Sequence, residues 1–402
     1  MNLLIVSQWF PCPPINGARQ RAFHLLHGLA ANHEVRFLSF AQNPSDMERT
    51  HELTQVCREV VVVPRTEYKP SVFNGLRALF SSRPRSSLAT YSPIMAQVIR
   101  EQLHAHRFDA AIALTTVAGE YLRSVKVPTI LDNDNVDTAY FRRLVQMVDS
   151  PLAQFRRKLT WVKVARYEKR LVASFNATTV VSEDDRQELA RLVPDKHNQG
   201  VVHVVPNGVD LRLLDYQGPV VDSRAIIFTG ALTYQANLDA ARYFCREILP
   251  KIRSSVPDVR VLITGSHAGV DITPLVDAGA ELTGFVDDIR PLVAGSAALI
   301  VPLRIGGGTR LKILEAMALG TPVVSTSLGA AGIGVKHEET ALLADDPEQF
   351  ASCTVRLMQD RMLRERISSN AKSYVAANFG WNRCVEALEN VLDSVVIGKR
   401  EV

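Results

Sequence analysis

Apolar residues along this chain gather in short blocks, and between the blocks run longer stretches with apolar positions three and four apart. The blocks are rich in Val, Ile and Leu. They predict strands at residues 3–7, 35–40, 60–63, 110–114, 129–131, 178–181 and 201–205, and then at 225–229, 259–264, 280–282, 298–302 and 322–325. Continuous apolar strands separated by helices imply parallel sheets covered on both faces, since crossover helices return the chain to the same edge and bury both sides. The rhythm breaks at "VPNGVDLRLLDYQGP", residues 205–219, where Pro, Asn and Gly accumulate. The pattern therefore predicts two doubly wound α/β domains. The first is expected at 1–206 and the second at 223–380, with a linker at 207–222 and a closing helix in 381–402.

Composition agrees with that size. The 402 residues exceed one ordinary domain, and 47% hydrophobic with 22% charged residues describe a globular protein with ample core. Five cysteines, Cys12, Cys57, Cys245, Cys353 and Cys384, stand at no metal or redox spacing, which points to a reducing cytoplasm. The opening "MNLLIVSQWF" lacks a basic leader region and reads as a first strand, not a signal peptide. No run approaches the roughly 18 to 20 apolar residues that span a bilayer. Charge adds an asymmetry. Residues 1–206 hold 26 Lys and Arg against 19 Asp and Glu, net +7, while residues 207–402 hold 20 against 23, net −3. A basic first half suits acidic lipids, nucleic acid or phosphorylated substrates, and charge alone does not choose among them.

The segment "RIGGGTRLKILEAMALGTP", residues 304–322, is chemically more specific. A strand runs into Gly306–Gly307–Gly308 and then a helix over 310–319, stopped by Gly320 with Pro322 beyond. Leu311, Leu314 and Ala318 share the core face, and Thr309 is the expected N-cap. Arg310 and Lys312 occupy the first turn, where the unpaired N–H groups and the helix dipole disfavour cations. An anion bound at that end, such as a diphosphate, turns them into counter-ions; without one they are a solvated basic turn. Glu315 is placed to accept from two ribose hydroxyls or to pair with Lys312. Neither GxxxxGK[ST] nor GxGxxG fits, because Leu311 occupies the place of the last glycine. Three strands of the second half end in Thr229–Gly230, Thr264–Gly265 and Thr283–Gly284, where glycine permits close backbone approach to a ligand or simply a tight turn.

The block "GGGTRLKILEAMALGTPVVSTSLGAAGI", residues 306–333, resembles the donor-site signature of glycosyltransferase family 4. "PPINGARQRAFHLLHGLAANHEV", "VVSEDDRQEL", "VVPNGVD", "FTGALTYQANLDA" and "GFVDDIRPL" agree with further family segments in order and spacing, so the resemblance covers nearly the whole chain. It implies a GT-B fold, two Rossmann-like doubly wound domains facing across a cleft. It also implies retaining transfer of a hexose-type sugar from a nucleoside-diphosphate sugar, UDP ranking ahead of GDP, to a hydroxyl acceptor. That acceptor is a saccharide, a lipid-linked saccharide or a small molecule. By the same resemblance Gly17, Gly230, Gly308, Thr309, Arg310, Leu311 and Lys312 face the donor diphosphate, Glu315 the ribose, and Phe285 and Val286 the base. Two departures stand out. Gly307 occupies a place where the family often carries a Glu, and "ALTYQAN" after Gly230 lacks the family's usual Arg and Lys. They keep two alternatives open: a nucleotide-sugar epimerase on the same fold, or a nucleotide-sugar-binding protein without catalysis.

Other signals compete. "LDNDNVD", residues 131–137, contains an Asp-x-Asp that holds a divalent metal in the other large glycosyltransferase fold. Here a cationic helix end makes a metal unnecessary, and neither a metal nor another cofactor is expected. In family 4 this region lines the acceptor side, so Asn135, Asp134 and Asp137 become the catalytic candidates, with capping of the following helix as the plain alternative. Val72, Phe73, Leu76, Leu79 and Phe80 form an amphipathic stripe among Arg65, Lys69, Arg77, Arg83 and Arg85, suited either to peripheral contact with a membrane or to packing on the domain. The basic run 156–170 reads as a solvated helix face. His24 and His27 read as structural, and no nucleic acid is expected as a partner.

Overall fold

The structure is a computed structural model and describes residues 1–65, 81, 83–147, 150–193 and 202–400. Two compact units are present, residues 1–207 with 381–402, and residues 208–380. Residues 208–221 group with the second unit, where Val209 bridges Gly380 and Lys372 Nζ donates to the Leu214 carbonyl at 3.0 Å.

The first unit is built on β1 (Asn2–Ser7), β2 (Glu34–Ala41), β3 (Glu59–Pro64), β4 (Ala110–Leu114), β5 (Thr129–Asn133), β6 (Ala177–Val180) and β7 (Val202–Val204). Their order is β3-β2-β1-β4-β5-β6-β7, so the direction of winding reverses between β1 and β4, where Leu3 pairs with Ala110 and Ser7 with Leu114 in parallel register. Successive side chains feed opposite cores. Leu3, Ile5 and Phe37 join Leu25, Leu26 and Leu29 of the helix Gly17–Asn32, while Leu4, Val6 and Leu38 pack the other way. A slip of one residue would exchange the two cores, which pins the register.

The last helix, Trp381–Arg400, belongs to this unit and lies against Gly17–Asn32. Trp381 stacks on His24 with ring centroids 4.5 Å apart, and a Cβ on Gly28 would lie 2.3 Å from Val385 Cγ2. His24 is thus a packing residue, and His27 Nδ1 hydrogen-bonds the Phe23 carbonyl at 2.8 Å.

The second unit carries β8 (Asp222–Thr229), β9 (Arg260–Thr264), β10 (Glu281–Gly284), β11 (Ser296–Val301), β12 (Val323–Ser325) and β13 (Leu342–Leu343), in the order β10-β9-β8-β11-β12-β13. All neighbours are parallel, with the reversal between β8 and β11. β13 is a two-residue strand that hydrophobic patterning does not predict. All five cysteines are buried and free.

No helix among the described residues is long and apolar enough to cross a membrane. The apolar stripe Val72 to Phe80 lies outside the described residues. Of the cations around it, Arg65 sits 5.1 Å from the Trp9 ring centre and Arg83 pairs with Glu120 at 2.6 Å.

Candidate functional site

In a parallel sheet the strands deliver their carboxyl ends to one edge, and a crevice opens there where the winding reverses. In the second unit that place lies between β8 and β11, and the glycine loop at 306–308 follows β11. The three Thr-Gly ends turn out to differ. Gly230 (φ +131°) leaves room for a lysine: a Cβ there would lie 2.8 Å from Lys312 Nζ and 2.7 Å from Asn237 Nδ2. Gly265 (φ +122°) serves backbone packing, because its Cβ would meet the Gly230 carbonyl at 2.5 Å.

The helix after the glycine loop is Leu311–Leu319, one residue shorter than its pattern predicts. Thr309 is not its N-cap. Arg310 holds that position in extended backbone, with no side-chain cap bond, and Thr309 Oγ1 is buried without a hydrogen-bond partner. The reason is local. The Arg310 guanidinium folds back to donate to the carbonyls of Gly307 and Gly308, crossing Gly306, where a Cβ would lie 2.6 Å from Nη2. Leu311, Leu314 and Ala318 are buried, as are Ile313, Ala316, Met317 and Leu319, and Gly320 ends the helix at φ +83°.

Lys312 leaves this apolar helix toward β8. Its Nζ donates to the Thr229 carbonyl and to Asn237 Oδ1 at 3.2 Å, and lies 4.6 Å from the Phe228 ring centre. Burial lowers the ammonium to about 7; the charge of Arg310 pushes the same way, and Glu315 one turn further opposes it. A lysine so desolvated by neutral oxygens and an aromatic ring gains most from an anion. Around the same strand ends Thr264 Oγ1 and His267 Nδ1 are also buried without partners in the structure. Past Gly284 (φ +70°), Phe285 is 57% exposed and Val286 partly buried. Asn237, which positions Lys312, was missed in the sequence; its signal was a polar residue entering the helix Gln235–Tyr243 directly after the Gly230 loop.

In the first unit the end of β5 and the residues that follow it are acidic, Asp132, Asp134 and Asp137 among them. Gly17 opens its helix, exposed, beside Asn16, whose side chain accepts the Arg19 N–H at 3.0 Å. Asp132 is consumed by an ion pair. Its oxygens accept from Arg21 Nη2 at 2.6 Å, Arg21 Nε at 2.8 Å and Thr179 Oγ1 at 2.6 Å. Arg21 also donates to the carbonyls of Val205 and Pro206 and to Asn207 Oδ1. Among the described residues no group of three or more His, Cys, Asp or Glu is arranged to hold a metal ion.

The helix Asp137–Gln146 is not capped by the acids and amides before it. Glu168, from the helix Pro151–Val172, accepts the N–H groups of Asp137 at 3.1 Å and Thr138 at 2.9 Å. Burial raises Asp134 to about 6, with the charge of Asp132 adding to it. Burial and then the Glu168 charge hold Asp137 well above the usual carboxylate range. Asn135 donates to Asp137 Oδ1 at 3.3 Å, and its own Oδ1 is buried without a partner. Nearby, where β1 and β4 part, Thr115 adopts φ +86° and bonds the Gln8 side chain at 3.0 Å. A β-branched residue in that region is strained, and nothing in its sequence signalled it.

Comparison with known proteins fits both halves. Residues 15–213 match a family described as Glycosyltransferase Family 4, and residues 223–360 one described as Glycosyl transferases group 1. The chain belongs to glycosyltransferase family 4. An uncharacterized 44.6 kDa protein in cps region of Klebsiella pneumoniae is 21% identical over 94% of this chain and 96% of its own length. A D-inositol 3-phosphate glycosyltransferase of Salinispora arenicola is 29% identical over 35% of this chain, which spans 34% of that relative. The crystal structure of Anabaena HepE in complex with UDP-glucose superposes with a TM-score of 0.69 at 15% identity, over 98% of this chain and 100% of HepE. This family 4 glycosyltransferase therefore has the GT-B fold of two Rossmann-like domains.

Proposed function

We propose that this glycosyltransferase moves a hexose-type sugar, with retention, from a nucleoside diphosphate to a hydroxyl acceptor and needs no metal ion. The observation that carries the reading is Lys312: a desolvated cation at the carboxyl end of β8, one residue into a helix whose first N–H groups have no side-chain cap. Such an arrangement stabilises the diphosphate most as it leaves, because charge grows on it in the transition state. Gly308, Thr309, Arg310 and Leu311 add N–H and guanidinium donors, Gly17 and Gly230 allow close backbone approach, Glu315 takes the ribose, and Phe285 and Val286 meet the base. UDP is put ahead of GDP because HepE is solved with UDP-glucose.

In the retaining course the acceptor hydroxyl attacks from the face the diphosphate leaves, and its proton passes to the departing phosphate. Asp134, Asn135 and Asp137 bind the acceptor in this reading: carboxyls held partly protonated near neutrality donate to hydroxyls as well as accept from them. The acceptor is a saccharide, a lipid-linked saccharide or a small molecule. The absence of an acid at Gly307 favours, as a second reading, a protein that binds nucleotide-sugars without transfer.

Incubation with a panel of nucleotide-sugars in EDTA separates the readings. Released nucleotide with an α-linked product from an α-linked donor supports the proposal. Inversion, loss of turnover in EDTA, isomerised donor or binding alone each overturns the part concerned.

A further inference from the structure

The helix Pro151–Val172 has an apolar stripe on the wrong side. Its inward face is supplied by Val164, Tyr167, Glu168, Leu171 and Val172, all buried. The opposite face begins with Leu152, Phe155 and Leu159, which are 69%, 60% and 46% exposed and follow each other at helical spacing. Further along that same outward face come Arg166 and Arg170, both exposed. Residues 151–170 hold seven Lys and Arg against one acid, and that acid, Glu168, is turned inward as the cap described above. The outward surface is thus apolar and uniformly cationic. Beside it a groove is lined by Arg142, Val145, Phe155, Lys158 and Trp161 among others, a mixture of apolar and basic side chains. The Trp161 indole N–H there is buried without a partner in the structure. Arg157 donates to the Leu144 carbonyl at 2.7 Å, which fixes this helix against its neighbour.

We propose that this face docks the protein on an anionic phospholipid surface. Large apolar side chains flanked by cations match the boundary between acyl chains and negative headgroups. A second copy of the face is a poor occupant, because symmetry would set cations against cations. Nucleic acid would meet the cations and leave the apolar stripe in water. The basic face is exposed to solvent, as its sequence predicts, and the inward positions are taken by Val164, Tyr167 and Leu171, so Leu152, Phe155 and Leu159 stand outside with the cations. This docking does not depend on the transfer reading.

The test is co-sedimentation of the full chain with vesicles of phosphatidylcholine, and of phosphatidylcholine mixed with phosphatidylglycerol, at low and high salt. Binding is expected on the mixed vesicles only, weakening as salt rises. Phe155→Ser with Leu159→Ser lowers it at least about tenfold, by removing the buried apolar contact. Arg156→Gln with Lys158→Gln lowers it about thirtyfold, from roughly one kcal/mol per cation near the surface. Thermal melts of both variants that match the parent's show that they are folded. Equal binding to both vesicle types overturns the proposal, as does parental binding by the apolar double variant. A solution dimer dissolved by Phe155→Ser with Leu159→Ser, without vesicle binding by the parent, gives the face to a second copy. Lys69→Gln with Arg77→Gln is expected to bind as the parent does; loss there alone moves the contact to residues 66–80.

Discussion

Two helix starts in this protein handle charge in opposite ways. The helix Leu311–Leu319, after β11, receives Lys312 in its first turn and no side-chain cap. The helix Asp137–Gln146, after β5, receives Asp137 in its first turn, and Glu168 accepts its leading N–H groups. Dipole rules favour the second arrangement and disfavour the first. Burial pushes both toward neutrality, the ammonium down and the carboxyls up. The acidic start is completed from within the protein, because a neighbouring helix supplies the acceptor. The basic start has its ammonium hydrogen-bonded to the neutral oxygens of Thr229 and Asn237, and burial still lowers it, so an anion improves it. A helix end that contradicts its own dipole is thus a sharper sign of a ligand than one that obeys it.

The comparison can be broken at several points. The largest effect is expected at Asp132, whose partner Arg21 is buried with it. Arg21→Met leaves Asp132 without its partner and should lower unfolding free energy by about 3–5 kcal/mol in urea titrations; a loss below about 1 kcal/mol would show that Asp132 is compensated elsewhere. Next comes the basic start. Lys312→Met should weaken nucleoside-diphosphate binding about a hundredfold by calorimetry, and Arg310→Ala about tenfold, with nucleoside binding changed less than about twofold. The same Lys312→Met variant should melt higher than the parent, since an apolar side chain replaces a desolvated ammonium. Equal weakening of nucleoside and diphosphate would mean that the cations do not meet the phosphates.

The pH response sharpens the contrast. Lys312 is depressed to about 7, so the folded protein holds fewer protons than the unfolded chain above that value. Its contribution to stability therefore rises with pH from about 7 toward the ordinary lysine range, and is lost as pH falls through 7. Affinity for a nucleotide-sugar, which keeps this lysine charged, should fall as pH rises above about 7. Asp134 runs the other way. Raised to about 6, it supports the fold at low pH and loses that contribution as pH rises from about 4 through 6. Asp134→Asn should flatten this part of the stability profile in thermal melts; an unchanged slope would mean that Asp134 titrates like an exposed carboxyl. This is the smallest of the effects.

Much of the fold could be read in advance because parallel strands buried on both faces are written as unbroken apolar runs. β13 could not, since two residues carry no period, and β8 begins at Asp222, ahead of its apolar run, because backbone pairing continues where hydrophobicity stops. The site was half legible. "GGGTRLK" displayed its misplaced cations without any structure. The cap at Arg310, against the rule that favours Thr309, depended on a guanidinium folding over Gly306.

What the sequence alone determined is local chemistry and period: which runs are strands, where glycines break a helix, and that Arg310 and Lys312 stand at a helix start. The tertiary structure decided partners. Lys312 meets Thr229 and Asn237, 83 and 75 residues away, and Asp137 meets Glu168, 31 residues away. It also decided which face of Pro151–Val172 is core, leaving Leu152, Phe155 and Leu159 outside. The reason is physical. Periodicity records that a face is apolar, but which apolar face is buried depends on the neighbour packed against it, and a buried charge is shifted by groups that only the fold brings near.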